Sequence, residues 1–328
     1  MLAAVTAALP GFGQAAAVTL TKAWTAIPLE ETPLSITAHN GQLWVVGQKE
    51  MIAVSKDGGR TWEVRHHSAA GEMLFSLEFV NDATLHAAGS GHTWMTSVDG
   101  GAHWKLSNDL KLSWSQAGFS AGGFGIAADA DAWGTTSNGG KKWQMYGLPL
   151  APDALSPPTK PGGKLPDTPI LHGLNRRVLA VSVLDEKRAA VLFAAEDGHQ
   201  PWASTVDGGK TWQQSGLDQV MTLTGMRAAE GKFWIYGKSK ADNSPVAMTS
   251  SETANWDNAP APFLPYSSCT AQGCQVPGGW AQIAAGQTTL WQLPAPPAQV
   301  AATSWAASND TSNATFCEVG DDRLYCTL

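Results

Sequence analysis

Along this chain, short runs of apolar and small residues recur and give way to polar turns. Gln42-Leu-Trp-Val-Val-Gly47, Thr84-Leu-His-Ala-Ala-Gly89 and Lys232-Phe-Trp-Ile-Tyr-Gly237 form one class. Met51-Ile-Ala-Val-Ser55, Thr93-Trp-Met-Thr-Ser97, Ala132-Trp-Gly-Thr-Thr136, the run ending at Thr205, and Val246-Ala-Met-Thr-Ser250 form a second class just downstream. Runs of this length bounded by turn residues predict β-strands.

The second class leads into a repeated turn, S/T-x-D-G-G-x-x-W. It runs from Ser55 to Trp62, Ser97 to Trp104, Thr136 to Trp143 and Thr205 to Trp212, with Asn138 in place of Asp in the third copy. The order Asp-Gly-Gly is turn chemistry. Asp is expected to bond its own backbone two residues on, the glycines supply positive φ, and the Trp opens the next strand. Asp57, Asp99, Asn138 and Asp207, with Trp62, Trp104, Trp143 and Trp212, therefore read as structural hardware.

Strand-opening tryptophans at 24, 62, 104, 143, 212, 256 and 291 are spaced by 38, 42, 39, 69, 44 and 35 residues. A period near 40 with only β-type patterns between predicts propeller blades of four strands, A to D. The expected fold is all-β, a seven-bladed propeller occupying residues 18–328. Trp24 has no strands A to C before it, and Ser304 to Leu328 supplies A, B and C without D. Residues 20–28 are expected to complete that last blade and remove its open edge. The 69-residue gap holds residues 149–175, with seven prolines and no strand pattern. It reads as a long inter-blade loop, a length that is commonly functional.

Composition narrows the classes. Only 15% of residues are charged, Gly numbers 34 and Trp 15, which fits tight turns and short strands. The net charge is −7 and basic residues do not cluster beyond pairs, so nucleic acid is not an expected partner. The chain starts with Met1-Leu-Ala-Ala-Val-Thr-Ala-Ala-Leu9 and reaches Ala15-Ala-Ala17, a short apolar segment followed by small residues. Residues 1–17 are expected to be an export signal or a tail, which places the protein in the periplasm or outside the cell. No later run is long and apolar enough to span a bilayer.

The boxes lie between strands C and D, so the B–C and D–A connections emerge at the opposite end and form the better candidate for binding. They carry Glu50, His92, Asp131, Arg176, Arg177, Glu196 and His199, which we take as the expected binding rim for a protein or exposed polymer. No His or Cys spacing suits a metal, Gly122-Gly123-Phe124-Gly125 lies in a strand pattern without a following helix, and no cofactor is expected. The protein is expected to act as a monomer. Four cysteines stand at 269, 274, 317 and 326. A two-residue turn at Asp321-Asp322 sets Cys317 opposite Cys326, and Cys269 can meet Cys274 around Ala271-Gln272. Cys274–Cys317 is the alternative pairing. Any of these fits an oxidising compartment.

These residues resemble the Asp-box (BNR) repeats of sialidases, sortilin-type receptors, some xyloglucanases and the photosystem II assembly/stability-factor family. The last is the nearest in pattern: Trp24-x-x-Ile27-Pro28, Leu34-x-Ile36, Gly41-x-Leu-Trp-Val-Val-Gly47 and Ser55-x-Asp-Gly-Gly-x-Thr-Trp62 cover blade one, and the pattern fades by residue 256. That resemblance implies an exported, non-catalytic propeller that binds other proteins. The alternative is an exo-acting glycoside hydrolase of sialidase-like architecture. It needs an Arg triad and an Arg-Ile-Pro segment, whereas the seven arginines are scattered apart from Arg176-Arg177 and no Arg-Ile-Pro occurs. A two-carboxylate mechanism would fall to Asp131 and Glu196.

Overall fold

The computed structural model describes residues 16–19, 22–69, 71–107, 114, 116–129, 132–147, 177–194, 201–216, 221–229, 231–243, 245–252, 256–259, 269–270, 273–276, 279–284, 287–293, 304–307, 315–320 and 322–328. Among these, the strands form seven sheets, six of four strands and one of five. The first contains Pro33–His39, Gln42–Gly47, Ile52–Ser55 and Glu63–His66, antiparallel and in chain order. We call such strands A to D. The second sheet (Leu74–Phe79, Leu85–Gly89, Trp94–Ser97, Lys105–Ser107) repeats this plan. So do the third, from Gln116–Phe119 to Gln144–Gly147, and the fourth, from Val178–Val183 to Gln213–Gly216. The fifth runs from Met221–Ala229 to Asp257–Ala259.

The chain ends join other sheets. Trp24–Ile27 pairs antiparallel with Arg323–Thr327, completing a sheet with Phe316–Gly320 and Ser304–Ala307. Ala16–Thr19 pairs parallel with Gln287–Gln292, as the fifth strand of the sheet that begins at Cys269–Thr270. The export boundary expected near Ala17 falls inside that short strand. Trp291 also departs from its expected role, since it sits near the end of Gln287–Gln292 and does not open it.

Strand A of each of the first four sheets touches strand A of the next, and strand A of the seventh touches those of the sixth and first. The core lies between neighbouring sheets. Leu43 and Val45 pack with Ala306, Val319 and Leu324 of the seventh sheet, whereas Trp44 and Val46 pack with Leu74, Leu77 and Leu85 of the second. Both faces of strand B are thus buried. That explains why Leu43 to Val46 reads as an unbroken apolar run and does not alternate.

The Asp boxes connect strands C and D, but their bonding differs from the expected two-residue reach. Asp57 Oδ1 accepts from the Thr61 N–H (2.9 Å) and Oδ2 from the Thr61 hydroxyl (2.6 Å), four residues on. The Ser55 hydroxyl donates to Asp57 (2.8 Å) and accepts from the Gly59 N–H (2.7 Å). Two left-handed glycines in succession lengthen the turn, so the carboxylate reaches further along the chain. Asp99 and Asp207 repeat this bonding with His103 and Thr211. Asn138 keeps one oxygen's share, accepting from the Lys142 N–H (2.9 Å) and the Thr136 hydroxyl (3.0 Å).

The second glycine of each box has a further role. A Cβ on Gly101 would stand 2.6 Å from Trp44 of the first sheet, and one on Gly140 would stand 2.9 Å from His86 of the second. On Gly209 it would meet Phe124 of the third (3.2 Å), and on Gly59 it would meet Cys326 Sγ (2.9 Å) and Cys317 Sγ (3.2 Å) of the seventh. Each box therefore lies against the preceding sheet at a point where only glycine fits. Gly122 and Gly123, expected inside a strand, form the A–B turn, and Gly125 starts strand B.

Candidate functional site

The strand order puts the B–C loops and D–A connections at the end opposite the boxes. The first and second B–C loops share one geometry. Gly47 N–H donates to Met51 O and Met51 N–H to Gln48 O, both at 3.0 Å, and Gly89, Thr93 and Ser90 repeat the pair. The loop interior is left-handed: Lys49 and Glu50 have φ of 53° and 55°, Gly91 and His92 of 60° and 63°. Residues with a Cβ pay about 1 kcal/mol for that region. The first loop thus holds two charged side chains in a strained turn.

These loops are tied to the D–A connections. Glu50 N–H donates to Glu72 O (2.7 Å) and Ser68 N–H to Lys49 O (2.9 Å). The Lys49 ammonium is 2.8 Å from Glu31, His67 Nε2 is 3.2 Å from the same oxygen, and His66 Nε2 is 3.3 Å from Glu50. The hydrogen bond from Lys49 leads in holding the Glu31 carboxyl below its ordinary range; burial opposes it and His67 assists. The Ser90 hydroxyl donates to Glu72 (2.7 Å) and accepts from the Met73 N–H (3.0 Å). Glu31 also lines a groove of about 610 Å³ with Ile27, Leu29, Glu30, Asp322 and Arg323.

Apolar residues stand in the same corner. Strand A has a register shift near its start in the first, second, fourth and fifth sheets, leaving Leu34, Phe75, Leu179 and Thr224 outside the ladder. A bulge re-aims the residue it displaces. Gly89, the last residue of strand B, makes room for the second shift: a Cβ there would collide with the Met73 carbonyl oxygen. Met73 and Phe75 are 41% and 40% exposed, although strand A has a neighbouring sheet on each side.

The box end differs. Asp57 is partly desolvated, but the bonds from Thr61 and Ser55 outweigh this and hold its carboxyl at about 2. A groove of about 940 Å³ there is lined by His86, Val98, Lys105, Leu106 and Gly139. His86 is fully engaged: Nε2 donates to Gly139 O (2.9 Å), which leaves Nδ1 to accept from the Thr96 hydroxyl (2.9 Å). Burial lowers its pKa to about 4, so the imidazole is neutral. Among the described residues, no group of three or more His, Cys, Asp or Glu could hold a metal ion.

Of the expected rim, the structure places Glu50 and His92 at one corner, on adjacent sheets and on either side of Glu72. Arg177 is exposed just before strand A of the fourth sheet, its carbonyl accepting from Ala194 N–H. Asp131, Arg176, Glu196, His199 and the loop 149–175 lie outside the described residues, and so does the carboxylate pair of the hydrolase alternative. Sequence reasoning missed Glu31, Glu72, Met73 and Phe75. Gly47, Gly89 and Gly237, at or near the end of strand B in the first, second and fifth sheets, were a signal for the bulge, but they do not say which residue is displaced, and the fourth sheet has its shift without such a glycine. Cys317 and Cys326 form a disulfide across strands B and C of the seventh sheet, and the register sets Cys269 opposite Cys274.

Residues 16–148 match the family described as photosynthesis system II assembly factor YCF48. No curated protein matches the chain by sequence. Among solved structures, YCF48 bound to a D1 peptide superposes with a TM-score of 0.58 at 14% identity, covering 96% of this chain and 98% of that one. YCF48 from Cyanidioschyzon merolae gives 0.54 at 14%, covering 93% and 98%. The Cps50 (Swd1) β-propeller domain of Myceliophteria thermophila gives 0.55 at 12%, also covering 93% and 98%. The chain thus carries Asp-box repeats, is similar over residues 16–148 to the photosystem II assembly factor family, and has the all-β architecture of propellers. No helix among the described residues is long and apolar enough to cross a membrane.

Proposed function

We propose that this chain is a closed seven-bladed propeller that serves, outside the cytosol, as a non-catalytic scaffold holding a segment of another protein at its B–C/D–A end. The observation that carries the reading is the family match over residues 16–148, which takes in the first three sheets and the whole corner from Glu31 to His92. A solved relative in that family binds a peptide, and its fold spans nearly all of this chain. Closure is supported by the pairing of Trp24–Ile27 with Arg323–Thr327 and by the first box lying on the seventh sheet. The Cys317–Cys326 bond supports an oxidising compartment.

The box end is argued against by its chemistry. Among the described residues, the box carboxylates are occupied by their own turns and the buried imidazole of His86 is doubly bonded, so little polar recognition capacity remains there. To test the reading, the full chain is immobilised and partners are retained from an extract of its own cells. Met73→Asp with Phe75→Asp should abolish retention, and Val98→Asp with Val206→Asp should leave it intact. The reverse pattern would assign binding to the wrong end.

A further inference from the structure

The exposed apolar pair at the second sheet has a defined setting. Strand A lies between neighbouring A strands, and Leu74 and Leu77 in it are fully or nearly buried, as is all of strand B behind it. Phe75 escapes that burial where the register shifts between Leu74 and Ser76, and Met73 stands just before the strand begins. The corresponding displaced residues Leu34 and Leu179 are apolar and half-buried. Leu34 and Phe75, on the neighbouring A strands of the first two sheets, thus stand at one end of the assembly.

What surrounds the pair is acidic. Glu72 precedes Met73 directly, and Glu50 is bonded to it through the backbone. Glu30, Glu31 and Asp322 continue the surface along the adjoining groove. Among the described residues, His66 is bonded to Glu50 and His67 to Glu31, and two cations stand against the cluster. Lys49 is bonded to Glu31, and Arg323 lines the groove. A carboxylate has about four acceptor sites, so Glu50 and Glu72, each with one side-chain contact at its carboxylate among the described residues, retain capacity.

We infer that this corner takes an extended, basic segment of a partner protein, seating one large apolar side chain against Met73 and Phe75 while flanking Lys or Arg residues meet Glu50 and Glu72. The proposal rests on the protein-binding reading above and adds the chemistry of the segment. An apolar contact at the centre with charges at its rim is the usual distribution of binding energy, with the centre dominating. The rim charges speed association and make it sensitive to salt.

A phage-displayed library of random dodecapeptides, panned on the full chain at low salt, tests this. Enriched peptides should pair Lys or Arg with a neighbouring large apolar residue. Phe75→Ser should weaken a representative peptide about tenfold or more. Glu72→Gln should weaken it about threefold and flatten its salt dependence. Both substitutions are at exposed positions, and an unchanged melting temperature shows that the fold persists. Val98→Ser at the opposite end should leave binding unchanged. Enrichment of acidic peptides, or of peptides indifferent to Phe75→Ser and Glu72→Gln, overturns the inference while leaving protein binding at another surface. If nothing is enriched, the protein-binding reading falls with it.

Discussion

The contact between the first box and the disulfide of the last sheet can be isolated by alanine substitutions at Gly41, Gly59 and the two cysteines. Gly41 has φ +76° and open space around its Cβ direction, so Gly41→Ala reports the backbone penalty alone, about 1 kcal/mol. Gly59 has φ +89° and would place its Cβ 2.9 Å from Cys326 Sγ and 3.2 Å from Cys317 Sγ. Overpacking of that kind adds about 1–3 kcal/mol, for a total of about 2–4. Replacing both cysteines by alanine removes the two sulfurs, after which the nearest of the contacts is the Cβ of Cys326 at 3.4 Å. That double change itself costs about 2.5 kcal/mol through the short loop it opens, the bonded residues being 9 apart. Within the cysteine-free background, Gly59→Ala should then cost about the same as Gly41→Ala. Urea unfolding in non-reducing buffer of the parent, Gly59→Ala, the cysteine-free protein and their combination gives the coupling directly, with Gly41→Ala as the reference. A coupling of about 1–3 kcal/mol supports the contact between the chain's first and last sheets. Equal costs in the two backgrounds would refute it.

Acid should act on the fold in two windows. The His86 pKa is lowered to about 4, so the unfolded chain takes up a proton that the native one refuses, and stability falls as pH drops from about 6.5 to 4. His86→Phe should remove this dependence while costing about 1–3 kcal/mol at pH 7, because Gly139 O and the Thr96 hydroxyl lose their partner; an unaltered pH profile would contradict the assignment. Asp57 titrates at about 2, so its contribution is present above about pH 4 and lost between pH 4 and 2. Asp57→Asn should reproduce the third box: it loses the Thr61 hydroxyl bond and about 1 kcal/mol, and melts with less acid sensitivity below pH 4. Alkylation of protein taken from its own cells into acid should leave Cys317 and Cys326 unlabelled until reductant is added; ready labelling would argue against an oxidising compartment.

The repeat made most of the strands legible. Gln42–Gly47, Ala132–Thr136 and the C-terminal strands Phe316–Gly320 and Arg323–Thr327 fall where their patterns placed them, because a strand enclosed by two neighbouring sheets needs an unbroken apolar run and a box marks its end. The pairing of Trp24–Ile27 with the C-terminal hairpin followed from counting which strands each chain end lacked. What eluded the sequence was set by contacts between repeats. That Gly59 abuts a disulfide, and that Gly101 abuts Trp44, depends on how neighbouring sheets sit together. The displacement of Phe75 likewise depends on a register shift that no alternation pattern records. The rim charges were legible as types and not as groups. Glu50 and His92 share a corner because two B–C loops adopt one left-handed geometry, in the first with Lys49-Glu50 and in the second with Gly91-His92.

The central claim is that the two ends of this fold divide the work, the boxes joining sheets and the opposite end recognising protein. Hydrogen–deuterium exchange of the full chain, alone and loaded with a basic peptide obtained by panning, tests it most directly. The account predicts added protection at residues 48–51, 67–76 and 90–93, with the turns at 55–62, 97–104, 136–143 and 205–212 unchanged. Protection gained at the box turns, with none at the B–C loops, would contradict it.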